Sequence, residues 1–184
     1  MNLLKIIFEK KFIFKSLKKV DLIIFGPDKF KFDKNIKYSY YDNEEINLRY
    51  SFSTLILYLK NFFKKKKITL SDAYFLSIFN SYDCKISLGN DREQGVFKFK
   101  RLFPNKISIA YQFGYWFKEL IKLGQSVIKD RSTDYYLMFD ERTKKFTEPV
   151  LKSNFFIAGS VSSNEKIFKS IRKKYDFMFI SNFR

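Results

Sequence analysis

The residues with the clearest chemical potential are polar groups that directly follow three apolar segments of the chain. These groups are Asn90 and Asp91 after residues 84–89, Gln112 and Gly114 after residues 106–111, and Gly159, Ser160 and Asn164 after residues 154–158. The carboxyl ends of parallel strands share one edge of a sheet, and ligands bind there in open α/β folds. Turn and cap preferences would explain any single group, but three together favour one crevice. We predict the substrate-binding set Asn90, Asp91, Gln112, Gly114, Ser160 and Asn164.

Missing residue types narrow the chemistry of such a crevice. The chain has no histidine, which excludes a Ser-His-Asp triad, an imidazole base and a histidine-ligated metal. Its one cysteine, Cys84, cannot form an internal disulfide, and this favours the cell interior. Neither glycine-rich phosphate loop, GxGxxG or GxxxxGK(S/T), occurs in the sequence. We expect no metal and no cofactor, and any catalysis falls to carboxylates, Tyr, Lys or a partner; no catalytic residue is assigned.

Net charge constrains the partners. The chain has 36 Lys and Arg against 19 Asp and Glu, a formal charge of +17. Such a protein attracts phosphate groups, although A/T-rich coding sequence produces the same Lys, Phe, Ile, Asn and Tyr excess without a binding role. No RNP block or helix-turn-helix signature is present, so nucleic acid is not the partner we expect. Arg92, Lys98 and Arg101 could stabilise a leaving phosphate, and solvated helix positions explain them equally well.

The elements that must position these residues follow from the apolar pattern. Six strands are predicted, at residues 20–25, 36–42, 84–89, 106–111, 134–139 and 154–159. The apolar stripe at 48–63 predicts one helix, and Thr69 with its capping partner Asp72 begins a second helix that runs to Tyr82. Further helices are predicted before residue 103, at 115–123, before Pro149 and at 164–175. Strands alternating with helices predict an α/β fold with a Rossmann-like parallel sheet and helices on both faces.

The first 20 residues form a separate predicted unit, an amphipathic basic helix. Lysines interrupt its apolar clusters, so it lacks the run of about 18 apolar residues that a spanning helix needs. It also has no small-residue cleavage site. The favoured interpretation is a helix that packs on its own sheet; the alternative is a helix that rests on an anionic bilayer. We expect a cytoplasmic protein, with peripheral contact at the inner membrane face as the alternative.

Four segments carry a resemblance to a known family. They are SDAYFLSIFNSYDCKISLGNDREQGVFKFKRLFPNKISIAYQFG at 71–114, YYLMFDERTKKF, FFIAGSVSSN and FMFISNFR. Their order and spacing resemble the N-terminal half of bacterial surface carbohydrate biosynthesis proteins with the two-Rossmann-domain glycosyltransferase fold, GT-B. These proteins are distantly similar to CDP-glycerol glycerophosphotransferases. The resemblance covers residues 18–184, and its individual motifs are short.

The resemblance implies a division of labour between domains. Residues 20–174 would form the Rossmann-like acceptor domain, and 175–184 would begin a missing donor domain. The implied partners are a carbohydrate acceptor here and a nucleotide-activated sugar or polyol donor on the missing domain. Gln112 would present its amide to the interdomain cleft, and Gly114 would let backbone approach a sugar or phosphate closely. Two departures are the reversed order of Asn90 and Asp91, and Phe113 where an amide is usual.

The leading expectation is therefore a glycosyltransferase-like or polyol-phosphate transferase-like domain in surface polysaccharide biosynthesis, incomplete and inactive as this chain alone. Phe113 removes a hydrogen-bonding side chain from the turn, which argues against catalysis by this copy. One alternative is a non-catalytic basic α/β domain that binds nucleic acid or an anionic membrane. A further alternative is a degenerate fold with no activity.

Overall fold

The architecture is a parallel α/β sheet flanked by helices. A computed structural model describes residues 11–28, 30, 32–42, 45–64, 68–114 and 131–159. The strands are β1 (Lys11–Ile13), β2 (Leu22–Phe25), β3 (Tyr38–Tyr41), β4 (Glu45–Asn47), β5 (Ile86–Asn90), β6 (Ile107–Tyr111), β7 (Arg131–Met138) and β8 (Leu151–Ile157). Six of them form one sheet in the order β3-β2-β5-β6-β7-β8, and every neighbouring pair is parallel. The predicted Rossmann-like α/β fold and its six strands are confirmed.

The described helices lie between the strands as predicted. They are a 3₁₀ helix at Leu48–Tyr50, α1 (Ser51–Phe63), α2 (Leu70–Tyr82), α3 (Gln94–Leu102) and α4 (Glu141–Thr147). The predicted capping box begins α2, since the backbone N–H of Asp72 donates to Thr69 Oγ1 at 3.1 Å and that of Thr69 donates to Asp72 Oδ2 at 3.2 Å. Helix α4 ends two residues before Pro149, the predicted breaker.

The core occupies both faces of the sheet, because all four residues of β2 are buried. On one face Ile23 and Phe25 pack against α2 and α3 through Phe75, Phe79 and Phe99, among others. A Cβ added at Gly95 would lie 2.3 Å from Phe25 Cδ1, so α3 approaches β2 at a distance that only glycine allows. The other face is built from Leu22, Ile24, Leu88, Tyr111 and Phe30.

Helix α1 is present where its apolar stripe predicts it, yet that stripe does not pack into the core. Phe52 is 75% exposed and Phe63 is 78% exposed, while Thr54 is the one buried residue of this helix. Helix α1 lies against α2, where Ser53 and Ser77 hydrogen-bond through their hydroxyl groups. Because α2 and α3 already cover this face of the sheet, α1 forms an outer layer.

The N-terminal unit differs from its prediction. Residues Lys11–Ile13 form β1, which pairs in parallel with β4, and residues 14–20 are not helical. Phe12, Ile13 and Phe14 favour an extended backbone, and Glu45 lies opposite Lys11, whose Nζ is 3.6 Å from Glu45 Oε1. The rest of that predicted helix, at 1–10, lies outside the described residues. So do the helices at 115–123 and 164–175 and the segment 175–184 predicted to open a second domain.

No helix within the described ranges combines the length and apolar character needed to cross a bilayer.

Candidate functional site

The strand order places a topological switch point between β2 and β5. The chain leaves β2 for its neighbour β3 on one side, and returns through α1 and α2 to β5 on the other side. The direction of the connections reverses there, and open α/β sheets bind ligands at the carboxyl ends of strands at such a point. We define the edge site as residues 26–28, 90–93 and 111–114, the ends of β2, β5 and β6 with the loops that follow them.

Asn90 lies directly against Gly26 at this switch point. Gly26 has φ of +107°, and a Cβ there would lie 2.8 Å from Asn90 Nδ2. Both the backbone angle and the contact therefore require glycine at this position. Asn90 Oδ1 accepts a hydrogen bond from the Arg92 N–H at 3.1 Å, and its side chain also hydrogen-bonds Tyr111. Asn90 is thus buried and fixes the turn after β5.

Asp28 contributes a carboxylate that sequence reasoning did not identify. The Tyr111 hydroxyl donates to Asp28 Oδ2 at 2.5 Å, across 83 residues of sequence. Burial and this contact with Asp28 raise the pKa of Tyr111 above its ordinary value, so the phenol stays protonated and acts as the donor. Asp28 itself is partly exposed. The sequence does show that Gly26 and Pro27 end a buried strand and begin a loop. It does not show the strand order, which places this loop beside the ends of β5 and β6.

Asp91 is buried, with 2% of its surface exposed, and is bonded to groups of the fold. It accepts hydrogen bonds from the Tyr136 hydroxyl at 2.8 Å and from the Phe113 N–H at 3.3 Å. Burial raises the pKa of Asp91, although these hydrogen bonds and nearby Arg92 act in the opposite direction. Asp91 therefore joins β5, β7 and the turn after β6, and holds that turn in place.

Gln112 has the same kind of role. Its Nε2 donates to the Gly114 carbonyl at 2.8 Å, and its Oε1 accepts from the Phe139 N–H at 3.1 Å. The side chain is 2% exposed. The amide therefore organises the turn at 112–114, instead of facing the cleft as the resemblance implied. Among the described residues, the nearest atom to a Cβ built at Gly114 would be Arg92 Nη2 at 3.9 Å, an ordinary van der Waals contact.

The exposed side chains of the edge site are Pro27, Arg92 and Phe113, and the last two contact each other. The Arg92 Cζ lies 4.9 Å from the centroid of the Phe113 ring, a distance typical of a cation–π pair. Phe113 is 37% exposed, and Arg92 is exposed as well. Buried Asn90, Asp91 and Gln112 fix the backbone on both sides of this pair. The edge site thus presents an aromatic face, a guanidinium group and the accessible backbone of Gly114 on a rigid support.

The structure brings together four of the six predicted residues, Asn90, Asp91, Gln112 and Gly114, and adds Asp28, Tyr111 and Tyr136 to them. Ser160 and Asn164 lie outside the described residues, and Gly159 closes the described part with φ of +66°. Of the three candidate phosphate ligands, Lys98 and Arg101 lie elsewhere, beside Asp72. Within the described ranges no cluster of three carboxylate or thiol groups could hold a metal ion.

Comparisons with protein-family models, curated proteins and solved structures returned no match. The relationship to GT-B glycosyltransferases therefore stays a prediction carried by the sequence motifs.

Proposed function

We propose that this chain is the acceptor-binding, Rossmann-like domain of a glycosyltransferase-like or polyol-phosphate transferase-like protein of surface polysaccharide synthesis. The observation that supports the proposal best is the exposed Arg92–Phe113 pair at the carboxyl ends of parallel strands, beside the switch point between β2 and β5. Ligand sites of α/β sheets occur at this position.

Each exposed group has a function in such a site. The Phe113 ring offers an apolar face to the C–H face of a sugar, and Arg92 can donate hydrogen bonds to ring hydroxyls or to a phosphate. Asp28 is partly exposed and supplies a carboxylate that can accept a hydrogen bond from an acceptor hydroxyl. In the transfer reaction that hydroxyl oxygen bonds to the activated carbon or phosphorus of the donor, the donor's nucleotide leaves, and a base takes the hydroxyl proton.

The donor in this proposal is a nucleotide-activated sugar or polyol held by a second domain. An acceptor domain on its own would not position the donor, and positioning accounts for about 7 to 11 kcal/mol of the barrier when geometry is ideal. We therefore expect acceptor binding without turnover. No cofactor is required by this chemistry, and we place the reaction in the cytoplasm.

A binding experiment with neutral acceptors tests the proposal. We would titrate the purified chain with N-acetylglucosamine, galactose and glycerol, and follow binding by saturation-transfer NMR. Arg92→Met and Phe113→Ala should each weaken the binding of a responding sugar about tenfold, since each removes one of the two exposed contacts. The matched controls are Lys85→Met, an exposed cation before β5 at the opposite edge, and Phe52→Ala, an exposed ring on α1.

If no neutral acceptor binds, or if the controls weaken binding as much as the edge variants do, the edge site is not an acceptor site.

A second candidate function, docking on an anionic membrane, is favoured by the exposed apolar stripe of α1. Its large side chains include Leu59, Phe62 and Phe63, and the helix ends in exposed Lys60 and Lys64. An apolar stripe bordered by lysines fits the boundary between acyl chains and anionic head groups. This function is compatible with the first, because α1 shares no residue with the edge site.

Vesicle sedimentation distinguishes this candidate. The chain should bind vesicles of phosphatidylcholine with phosphatidylglycerol more tightly than vesicles of phosphatidylcholine alone. Phe62→Ser with Phe63→Ser should weaken that binding more than tenfold, because each exposed ring loses about 1.5 to 3 kcal/mol of burial. Phe156→Ser, another exposed ring, is the control. Binding that depends on salt but not on Phe62 and Phe63 would point to charge alone and contradict docking through α1.

A further inference from the structure

A second concave site lies on the α2–α3 side of the sheet and shares no residue with the edge site. It is a pocket of about 530 Å³, within the size range of small-molecule sites. Successive turns of α3 line this pocket through Gln94, Lys98 and Arg101. Arg131 and Ser132, at the start of β7, also line it. The proposed function makes no use of this pocket.

The charges of the pocket are unbalanced. Asp72, which is buried, pairs with Lys98 Nζ at 3.3 Å and with Arg101 Nη2 at 2.7 Å. Burial acts to raise the pKa of Asp72, but the Thr69 N–H and the two cations outweigh it, so the pKa is lowered and the carboxylate is charged at neutral pH. With Arg131, the lining contains three cations and one carboxylate, a net charge of +2.

Arg131 is the unusual member of this set. Its Nη1 atom is buried and has no hydrogen-bond partner among the described residues. Its Cζ lies 4.9 Å from the centroid of the Phe97 ring, and no carboxylate of the described residues forms an ion pair with it. Partial burial lowers the pKa of Arg131, because it weakens the hydration of the charged form.

Buried charged donors in proteins are normally paired, because a guanidinium loses its hydration when it is buried. The neighbouring cations follow this rule: Lys98 and Arg101 have Asp72, and Lys100 Nζ lies 2.6 Å from Asp134. Arg131 instead lies against the Phe97 ring, and both residues line the pocket. An anion in the pocket would give the Arg131 guanidinium the ion pair that it lacks among the described residues.

We propose that this pocket binds a phosphoryl group, with Arg131 as its central ligand and Lys98 and Arg101 as flanking charges. A phosphate dianion matches the net charge of +2, and the planar guanidinium can hold two of its oxygens at once. The pocket is larger than one phosphate group, so its volume accommodates a phosphate monoester with a small organic part. Gln94 and Ser132 provide further polar groups for that part.

Calorimetric titrations at fixed ionic strength test this site, with inorganic phosphate and glycerol 3-phosphate as probes. Arg131→Met should weaken the binding of the responding probe tenfold or more, and it should not lower the melting temperature, since it removes a half-buried cation that has no ion-pair partner among the described residues. Arg131→Lys keeps the positive charge but loses the planar guanidinium that can hold two phosphate oxygens. Its affinity for the probe should therefore lie between those of the parent chain and of Arg131→Met. Arg49→Met, an exposed arginine of the 3₁₀ helix, should leave affinity unchanged within twofold.

Tighter binding of glycerol 3-phosphate would identify a phosphate monoester as the ligand class, and tighter binding of inorganic phosphate would identify the free anion; both support the site. The proposal is overturned if neither probe binds, if Arg131→Met binds as the parent chain does, or if chloride at equal ionic strength competes as well as phosphate. Neutral sugars provide the independent readout, because their binding at the edge site should not change in Arg131→Met.

Discussion

Replacing Tyr136 with Phe tests how the edge site is supported. The substitution keeps the aromatic ring, which is 1% exposed, and removes only the hydroxyl that donates to Asp91 Oδ2 at 2.8 Å. A hydrogen bond to a charged group contributes about 1.5 to 3 kcal/mol. Of its two donors, the Tyr136 hydroxyl and the Phe113 N–H, Asp91 would keep only the Phe113 N–H. We expect Tyr136→Phe to lower the free energy of unfolding by about 1.5 to 3 kcal/mol at neutral pH.

The pH dependence of this effect has a definite sign. Burial raises the pKa of Asp91 above 3.8, its value in an unfolded chain, so the fold loses stability as pH rises through the pKa of the folded state. The Tyr136 hydroxyl limits that loss, and its removal raises the pKa further. The destabilisation that Tyr136→Phe causes should therefore be largest above the pKa of Asp91 in the folded variant. Below pH 3.8 it should shrink to about 0.5 to 1.5 kcal/mol, the value of a hydrogen bond between neutral groups.

Urea unfolding followed by circular dichroism, at pH 3 and at pH 7, measures both quantities. Tyr135→Phe is the matched control, because Tyr135 is the preceding residue of β7 but is exposed, and its loss should change stability by less than about 0.5 kcal/mol. The reasoning is refuted if Tyr136→Phe costs no more than Tyr135→Phe, or if its cost is the same at both pH values.

Three further predictions concern the elements around the site. Thr69→Ala breaks the capping box of α2 and should cost about 0.5 to 2 kcal/mol in urea unfolding; an unchanged midpoint would contradict the cap. Gly95→Ala places a Cβ 2.3 Å from Phe25 Cδ1 and should cost about 1 to 3 kcal/mol in the same assay, whereas a neutral effect would mean that α3 is free to shift. Burial raises the pKa of Cys84 from 9.0 to about 11, so its reaction with a disulfide reagent at pH 8 should be about 100-fold slower than in urea. Equal rates would show that the thiol is accessible.

The elements were largely predictable because each strand is a compact apolar run with its own boundary signal. Gly26 and Pro27 end β2, and Thr69 with Asp72 begins α2, so local chemistry is sufficient there. Strands β7 and β8 begin three residues earlier than predicted, at Arg131 and Leu151. The residues added are mostly polar and are held by pairing between the two strands, which an apolar pattern does not detect.

The site was less predictable, because its groups depend on long-range order. That Asn90, Asp91, Gln112 and Gly114 share an edge follows from parallel strands alone. The contact of Asp28 with Tyr111 requires β2 beside β5, and no local signal specifies that order.

The exposure of side chains also escaped prediction. The apolar stripe of α1 is typical of a core helix, yet it is exposed because α2 and α3 cover the sheet first. The polar character of Gln112 suggested a ligand contact, yet hydrogen bonds from and to the backbone occupy its amide. A pattern reports what a residue type can do, and the packing around it decides which of its groups remain available.

The central claim is that the edge site binds an acceptor, and an amide chemical-shift map of the ¹⁵N-labelled chain titrated with N-acetylglucosamine tests it most directly. We predict that the shifted amides cluster at residues 26–28, 90–93 and 111–114, and that Arg92→Met reduces these shifts. Two results would contradict the claim: shifts confined to the proposed phosphate pocket at residues 69–72, 94–101 and 131–132, or shifts scattered without a cluster at saturating sugar.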